Sequence, residues 1–130
     1  MIVLDASAGV DLLSRTTDRA DRIAVRLAAE STVHVPELFD LEVLHAFRGL
    51  EAGRKLPPDT ITAALRDLVD LRATRHRHES LRPRIWELRA NLTAYDAAYV
   101  ALAELLDAPL LTSDWPLVRS AGHEARIELP

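Results

Sequence analysis

At 130 residues and 48% hydrophobic, the chain is long enough for one domain with a real core, and residues 1–130 are read as a single domain. The absence of cysteine excludes disulfides and thiolate metal sites, and it fits a reducing, cytoplasmic setting. A formal net charge of -4 excludes nucleic-acid binding by bulk charge and leaves metal ions and a local arginine patch as the means of meeting phosphates.

Ile2 to Asp5 reads as a short buried strand and Ala8 to Ser14 as a short helix. Asp18 to Glu30 is a second helix, with Ile23, Leu27 and Ala28 at helical spacing. Thr32 to Val35 is a strand closed by Pro36. Glu37 to Gly53 is a helix with Phe39, Val43, Ala46, Phe47 and Leu50 on one face, and Gly53 is expected just past its end. Pro57-Pro58-Asp59 opens a helix that carries Ile61, Leu65, Leu68 and Val69 and stops near Leu71. Arg72 to Arg77 is a polar edge strand, and Leu81 to Ala90 is helical. Thr93 to Asp107 is a nearly all-apolar helix, expected at the centre of the fold. Pro109 to Thr112 is a strand, Trp115 to Ala121 a short helix, and Arg126 to Leu129 a last strand. Strands alternating with helices make an α/β fold with a parallel sheet covered on both faces. No signal peptide is expected, because no basic stretch precedes the first apolar residues and Asp5 interrupts them. The longest apolar stretch is short and carries Asp96 and Glu104, which does not read as a membrane span.

Two strands stop at an acid: Ile2-Val3-Leu4 runs into Asp5, and Leu110-Leu111-Thr112-Ser113 into Asp114. In open α/β sheets, ligands bind outside the carboxyl ends of the strands. Asp5 serves equally well as the N-cap of the next helix, and Ser7 as that cap or as a hydroxyl that orients Asp5 or a metal-bound water. Asp114 has the same two readings, with Pro116 close to the first helical position and Thr112 placed as Ser7 is. Glu42 lies at the border of the stripe formed by Phe39, Val43, Ala46 and Phe47, where a half-exposed surface acid is the ordinary reading. Asp96 stands in the all-apolar helix, where burying an ionised carboxylate costs several kcal/mol unless it is paired, capped or metal-bound. Thr93-Ala94-Tyr95-Asp96 has capping-box spacing, but aspartate fits the reach back to the cap poorly. The helix dipole at that position keeps Asp96 ionised, which suits a metal ligand as well.

Taken together, the four acids make a hard oxygen donor set suited to Mg²⁺ or Mn²⁺. No histidine pair has metal-ligand spacing on a helix, and His76 and His78 in Arg75-His76-Arg77-His78 read as surface residues, so zinc is disfavoured. A carboxylate-held ion without a histidine base points to metal-assisted displacement at phosphorus, the ion lowering the pKa of a bound water. Asp5 and Asp96 are the expected direct ligands, with Glu42 and Asp114 holding a second ion or orienting the water. Shared metal binding requires the four carboxylates to converge on one point.

At these residues the sequence resembles the PIN-domain family, in particular the VapC-type ribonuclease toxins of bacterial toxin–antitoxin pairs. The resemblance rests on Val3-Leu4-Asp5-Ala6-Ser7, on Val35-Pro36-Glu37 leading to Glu42, on Thr93 through Ala103 around Asp96, and on Leu110 through Asp114. It implies a three-layer α/β/α sandwich around a mostly parallel sheet of about five strands. It also implies a Mg²⁺- or Mn²⁺-dependent endoribonuclease acting on single-stranded or loop RNA, a homodimer, and inhibition by a cognate VapB-like antitoxin. Asp5, Glu42, Asp96 and Asp114 match the family's acidic quartet, Ser7 and Thr112 its supporting hydroxyls, and Asn91 a polar residue of the pocket. Pro116 stands where some members place a further acid, so one tightly bound ion is implied rather than two.

The positive charge for an RNA path is sought in Arg48, Arg54, Lys55, Arg82, Arg84 and Arg89, each of which is ordinarily a solvated surface cation. Trp86, Tyr95 and Tyr99 have the choice of stacking on bases or of packing in the core. A Mg²⁺ phosphatase is disfavoured because Ser7 replaces the second aspartate it needs, and a phosphoaspartyl receiver because Lys55, the only lysine, lies between two helices. The alternative of another class is a non-catalytic PIN-like module that binds protein or RNA, against which stands the intact quartet.

Overall fold

A computed structural model describes all residues, 1–130. The strands are β1 (Ile2–Leu4), β2 (Val33–Pro36), β3 (Thr74–His76), β4 (Leu110–Leu111) and β5 (Ile127–Glu128). The helices are α1 (Ala6–Ser14), α2 (Asp18–Ala28), α3 (Leu38–Ala52), α4 (Pro58–Asp70), α5 (Arg82–Glu87), α6 (Ala94–Leu106) and α7 (Trp115–Val118), with a 3₁₀ turn over Leu88–Ala90. The five strands form one all-parallel sheet in the order β3-β2-β1-β4-β5. Helices α1 to α4 pack on one another and α5 on α6, while α6 lies across β1, β2 and β4, giving the expected α/β sandwich. No helix is long and apolar enough to cross a membrane.

The apolar strand runs explain the layering. Ile2, Val3, Leu4, Val35, Leu110 and Leu111 are fully buried, as strands covered on both faces must be. The polar strand β3 sits at the sheet edge, where Thr74 and Arg75 are exposed and charge discourages further pairing. Phe39 and Phe47 of α3 fill the core from one side and Tyr99 and Leu102 of α6 add to it. Gly9 is required where α1 crosses α3: a Cβ there would stand 2.6 Å from Phe39 Cζ.

Several details differ from the sequence reading. Helix α1 begins at Ala6, so Asp5 is its N-cap and Ser7 is not. Helix α7 stops at Val118 rather than Ala121, held by the buried Leu117. The left-handed position after α3 falls on Arg54 (φ 52), not on Gly53, and the Lys55 amide closes back on the Leu50 carbonyl at 2.8 Å. Helix α6 is buried only over Ala97 to Ala103; Ala94, Tyr95 and Leu105 are exposed and Asp96 is half-buried, so that acid is less enclosed than the apolar pattern implied.

Candidate active site

The strand order places the site. The chain moves outward from β1 to β2 and β3, then returns to the other side of β1 for β4. The point where the direction reverses lies between β1 and β4, which is where ligands bind in open α/β sheets. Pairing of Leu4 with Leu111 sets the residues that follow, Asp5 and Thr112, beside each other. The Asp5 amide donates to the Leu111 carbonyl at 2.9 Å, carrying the ladder to the edge of the sheet.

Asp5 is buried and tightly held. Its Oδ2 accepts the Thr112 hydroxyl at 2.8 Å, the Ser7 amide at 3.2 Å and the Ser7 hydroxyl in a short bond. Each hydroxyl in turn accepts a backbone amide, Ser113 N on Ser7 Oγ and Asp114 N on Thr112 Oγ1, both at 3.0 Å. With both hydroxyl protons directed at Asp5, the 3.1 Å approach of Ser7 Oγ to Thr112 Oγ1 carries no proton of its own. The Oδ1 atom takes no side-chain hydrogen bond. The capping reading of Asp5 therefore holds: its carboxylate caps α1. Burial raises its pKa, against the lowering effect of the Ser7 and Thr112 hydroxyls.

Glu42 projects from the second turn of α3 and is half-buried. Its Oε2 accepts the Tyr99 hydroxyl at 2.5 Å. Burial raises its pKa, the Tyr99 bond lowers it, and Asp5 and Asp96 raise it further. Asp96 stands in the first turn of α6, where its own amide is capped by Thr93 Oγ1 at 3.2 Å. The return bond of a capping box, from the Thr93 amide to the Asp96 carboxylate, is not made, as the short side chain predicts. Burial, then Asp5, then Asp114, raise the Asp96 pKa. Asp114 precedes α7 without a side-chain capping bond, so its carboxylate is not spent on the helix.

The four acids are thus electrostatic neighbours, yet none takes part in any of the protein's ion pairs. Carboxylates set near one another without a protein cation call for a proton or a metal ion between them. The donor set, all hard oxygen, fits a divalent ion such as Mg²⁺ or Mn²⁺. In the ion-free chain, no three of these acids are gathered into a ready-made metal cluster. Beside the acids, an open cleft of about 560 Å³ is lined by Ser7, Glu42 and Ser113 together with Arg19 and His45. The Ser113 hydroxyl is buried there without a partner.

Several neighbours differ from expectation. Tyr99 is wholly buried and serves Glu42, so it is not a stacking surface, whereas Tyr95 and Trp86 are 65% and 68% exposed. His76 and His78 are half-buried rather than surface residues: His76 Nε2 lies 2.8 Å from His34 Nδ1, and His78 Nε2 accepts the Leu38 amide at 3.3 Å. Arg84 is committed to Glu104 at 2.7 Å and Glu87 at 3.0 Å and is a structural residue. Arg89 lies over the Trp86 ring, 4.6 Å from its centroid. Arg48, Arg54, Lys55 and Arg82 are exposed. Asn91 is exposed, with its amide against Gly122. The Tyr99 contact with Glu42 has no local signal, because a tyrosine one turn beyond Asp96 in an apolar helix reads as core or as a stacking surface.

The PIN domain family model matches residues 2–122. Ribonuclease VapC3 of Mycobacterium tuberculosis is 42% identical over 127 residues, covering 93% of this chain and 92% of that protein. Among solved structures, PAE2754 from Pyrobaculum aerophilum superposes with a TM-score of 0.68 at 21% identity, over 97% of this chain and 81% of that one. VapBC2 from Rickettsia felis, bound to a DNA fragment from its promoter, superposes with a TM-score of 0.64 at 16% identity, over 99% and 98%. At those identities the two structures establish the fold, and the closer sequence relative adds the subgroup. The chain belongs to the PIN-domain family, among the VapC ribonucleases.

Proposed function

We propose that the chain is an endoribonuclease, the toxic component of a toxin–antitoxin pair, which hydrolyses phosphodiester bonds of single-stranded or loop RNA with Mg²⁺ or Mn²⁺. The observation that carries this reading is the set of four acids, without a protein cation among them, at the switch point of the sheet. Membership of the VapC ribonucleases supports the reaction class. Asp5 and Asp96 are the direct ligands in this reading, and Glu42 and Asp114 complete the site. When bound, the ion supplies positive charge for the in-line transition state and a water acidic enough to attack at neutral pH.

The chain's own residues supply orientation and charge. Ser7 and Thr112 hold Asp5 by one oxygen and leave the other without a side-chain hydrogen bond. Asp114, with its amide fixed on Thr112 Oγ1, has its carboxylate free of the cap, and in this reading it holds a second ion or orients the water. Arg48, Arg54, Lys55 and Arg82 are the cations available to RNA phosphates on the exposed surface. A VapB-like antitoxin is the expected inhibitor, in line with the likeness to the VapBC2 fold, and the protein is expected to act as a homodimer.

The test is incubation of the purified, antitoxin-free protein with a mixed RNA substrate. Cleavage is expected with Mg²⁺ or Mn²⁺ and is expected to stop in EDTA. Undiminished cleavage in EDTA sinks the metal mechanism, and no cleavage with either ion favours the non-catalytic module.

A further inference from the structure

Two of the four acids share a pattern that the charge argument does not require. Asp5 takes its side-chain hydrogen bonds on Oδ2 alone, from Ser7 and Thr112. Glu42 takes its only hydrogen bond on Oε2, from Tyr99 at 2.5 Å. Tyr99 has no freedom to do anything else. Its ring is fully buried in the middle of α6, between Ala97 to Ala98 and Val100 to Ala103, all of them buried too. Burial and the Glu42 carboxylate both push the phenol pKa far up, so the group stays a proton donor. A flexible acid on α3 is thereby tied to a rigid point on α6.

We propose that Tyr99 is a positioning residue that commits Glu42 Oε2 and leaves Oε1 as the oxygen this acid offers to a cation, so that the site favours a small octahedral ion over a larger one. The proposal rests on the reading of the acids as a cation site. Its physical basis is the different coordination of the two ion sizes. Mg²⁺ demands near-ideal octahedral geometry and keeps several waters, so single oxygens from separate carboxylates suit it. Ca²⁺ takes six to eight ligands in flexible geometry and gains from carboxylates that chelate with both oxygens. An oxygen that already accepts a charge-assisted hydrogen bond has given up part of its charge and one lone-pair direction, which disfavours chelation. Fixing the Glu42 rotamer before the ion arrives also removes an entropy cost that a long acidic side chain otherwise adds to binding.

The experiment measures Mn²⁺ binding to ion-free protein by electron paramagnetic resonance, followed by displacement with Mg²⁺ and with Ca²⁺. Tyr99→Phe keeps the ring and removes only the hydroxyl. It is expected to weaken Mn²⁺ binding about tenfold, the lower end of the effect of losing a ligand-orienting partner. It is also expected to shift the ratio of half-displacing Ca²⁺ and Mg²⁺ concentrations about tenfold towards Ca²⁺. In RNA cleavage, kcat falls while KM for RNA stays as in the wild type. Glu42→Asp shortens the acid out of reach of the hydroxyl without disturbing the core, and it reports the same displacement shift if Tyr99→Phe does not fold. Intact Mn²⁺ binding with an unchanged displacement ratio overturns the proposal, as does a lowered melting temperature with no change in ion preference. A wild-type protein that binds no Mn²⁺ overturns the cation site itself, a result distinct from either.

Discussion

Asp96 and Glu104 stand about two turns apart on α6, and their surroundings treat them in opposite ways. Glu104 receives a forked pair of bonds from Arg84, at 2.7 and 3.0 Å, and the Glu124 amide at 2.8 Å. The Arg84 bond holds its carboxyl below the ordinary carboxylate range. Asp96 receives no cation, and burial, Asp5 and Asp114 push its pKa up. One end of the helix is electrostatically finished by the protein. The other carries an acid that no protein cation meets, in keeping with the proposed cation site. An acid's function in this fold is therefore read from what fails to neutralise it.

The strongest way to break this comparison is to neutralise each acid in turn. Asp5→Asn or Asp96→Asn is expected to lower the RNA cleavage rate by about 10²–10³-fold or more, the scale of losing a charge-stabilising group. Glu104→Gln is expected to leave the rate per folded molecule unaltered. Equal losses from Asp96→Asn and Glu104→Gln would remove the distinction between the two ends.

The hydroxyl pair on Asp5 sets the next effect. Ser7→Ala or Thr112→Val is expected to reduce ion affinity or cleavage about 10–100-fold, as for other partners that orient a metal ligand. Isothermal titration with Mn²⁺ measures it, and unchanged affinity in both variants shows that Oδ2 needs no holding.

At the finished end, Arg84→Ala is expected to cost about 1–2 kcal/mol of stability at neutral pH, because the half-buried Glu104 loses its charged partner. A lowered folded pKa contributes stability above the unfolded carboxylate value and loses it as pH falls through the folded one. The wild-type advantage over Arg84→Ala in urea unfolding should therefore shrink on acidification. An advantage that grows towards acid pH contradicts the assignment.

The smallest effect has the opposite sign. A raised folded pKa gives stability that is present at acid pH and lost as pH rises through the folded value. Asp96→Asn should therefore raise the melting temperature of the ion-free protein at neutral pH by about 2–4 °C. The gain should vanish at acid pH, where the wild-type acid is protonated. Mn²⁺ should raise the wild-type melting temperature in the same direction by mass action. A lower melting temperature for Asp96→Asn at neutral pH shows that this carboxylate is satisfied by the protein after all.

Much of the fold was legible because local patterns are strong here. Apolar runs ending in acids marked β1 and β4, and the stripes of α3 and α4 marked half-buried helices. Helix α3 ends at Ala52 with Gly53 just past it, as expected, while the left-handed turn falls one residue later, at Arg54. The burial of Asp96 was overstated, since an apolar sequence cannot tell which helix end emerges into solvent. The capping alternative for Asp114 fell only when the geometry left its carboxylate without a capping bond. His34 and His76 lie 2.8 Å apart across β2 and β3, and nothing in either local sequence announced the contact.

The sequence by itself determined the alternation of strand and helix and the placement of acids at strand ends and helix starts, because side-chain periodicity and capping chemistry act over a few residues. Only the tertiary structure decided which of these acids would be neutralised. Ser7 meets Thr112 across 105 residues, and Tyr99 reaches Glu42 across 57. Such contacts follow from strand register and helix packing, which bring together groups whose local sequences carry no mark of one another.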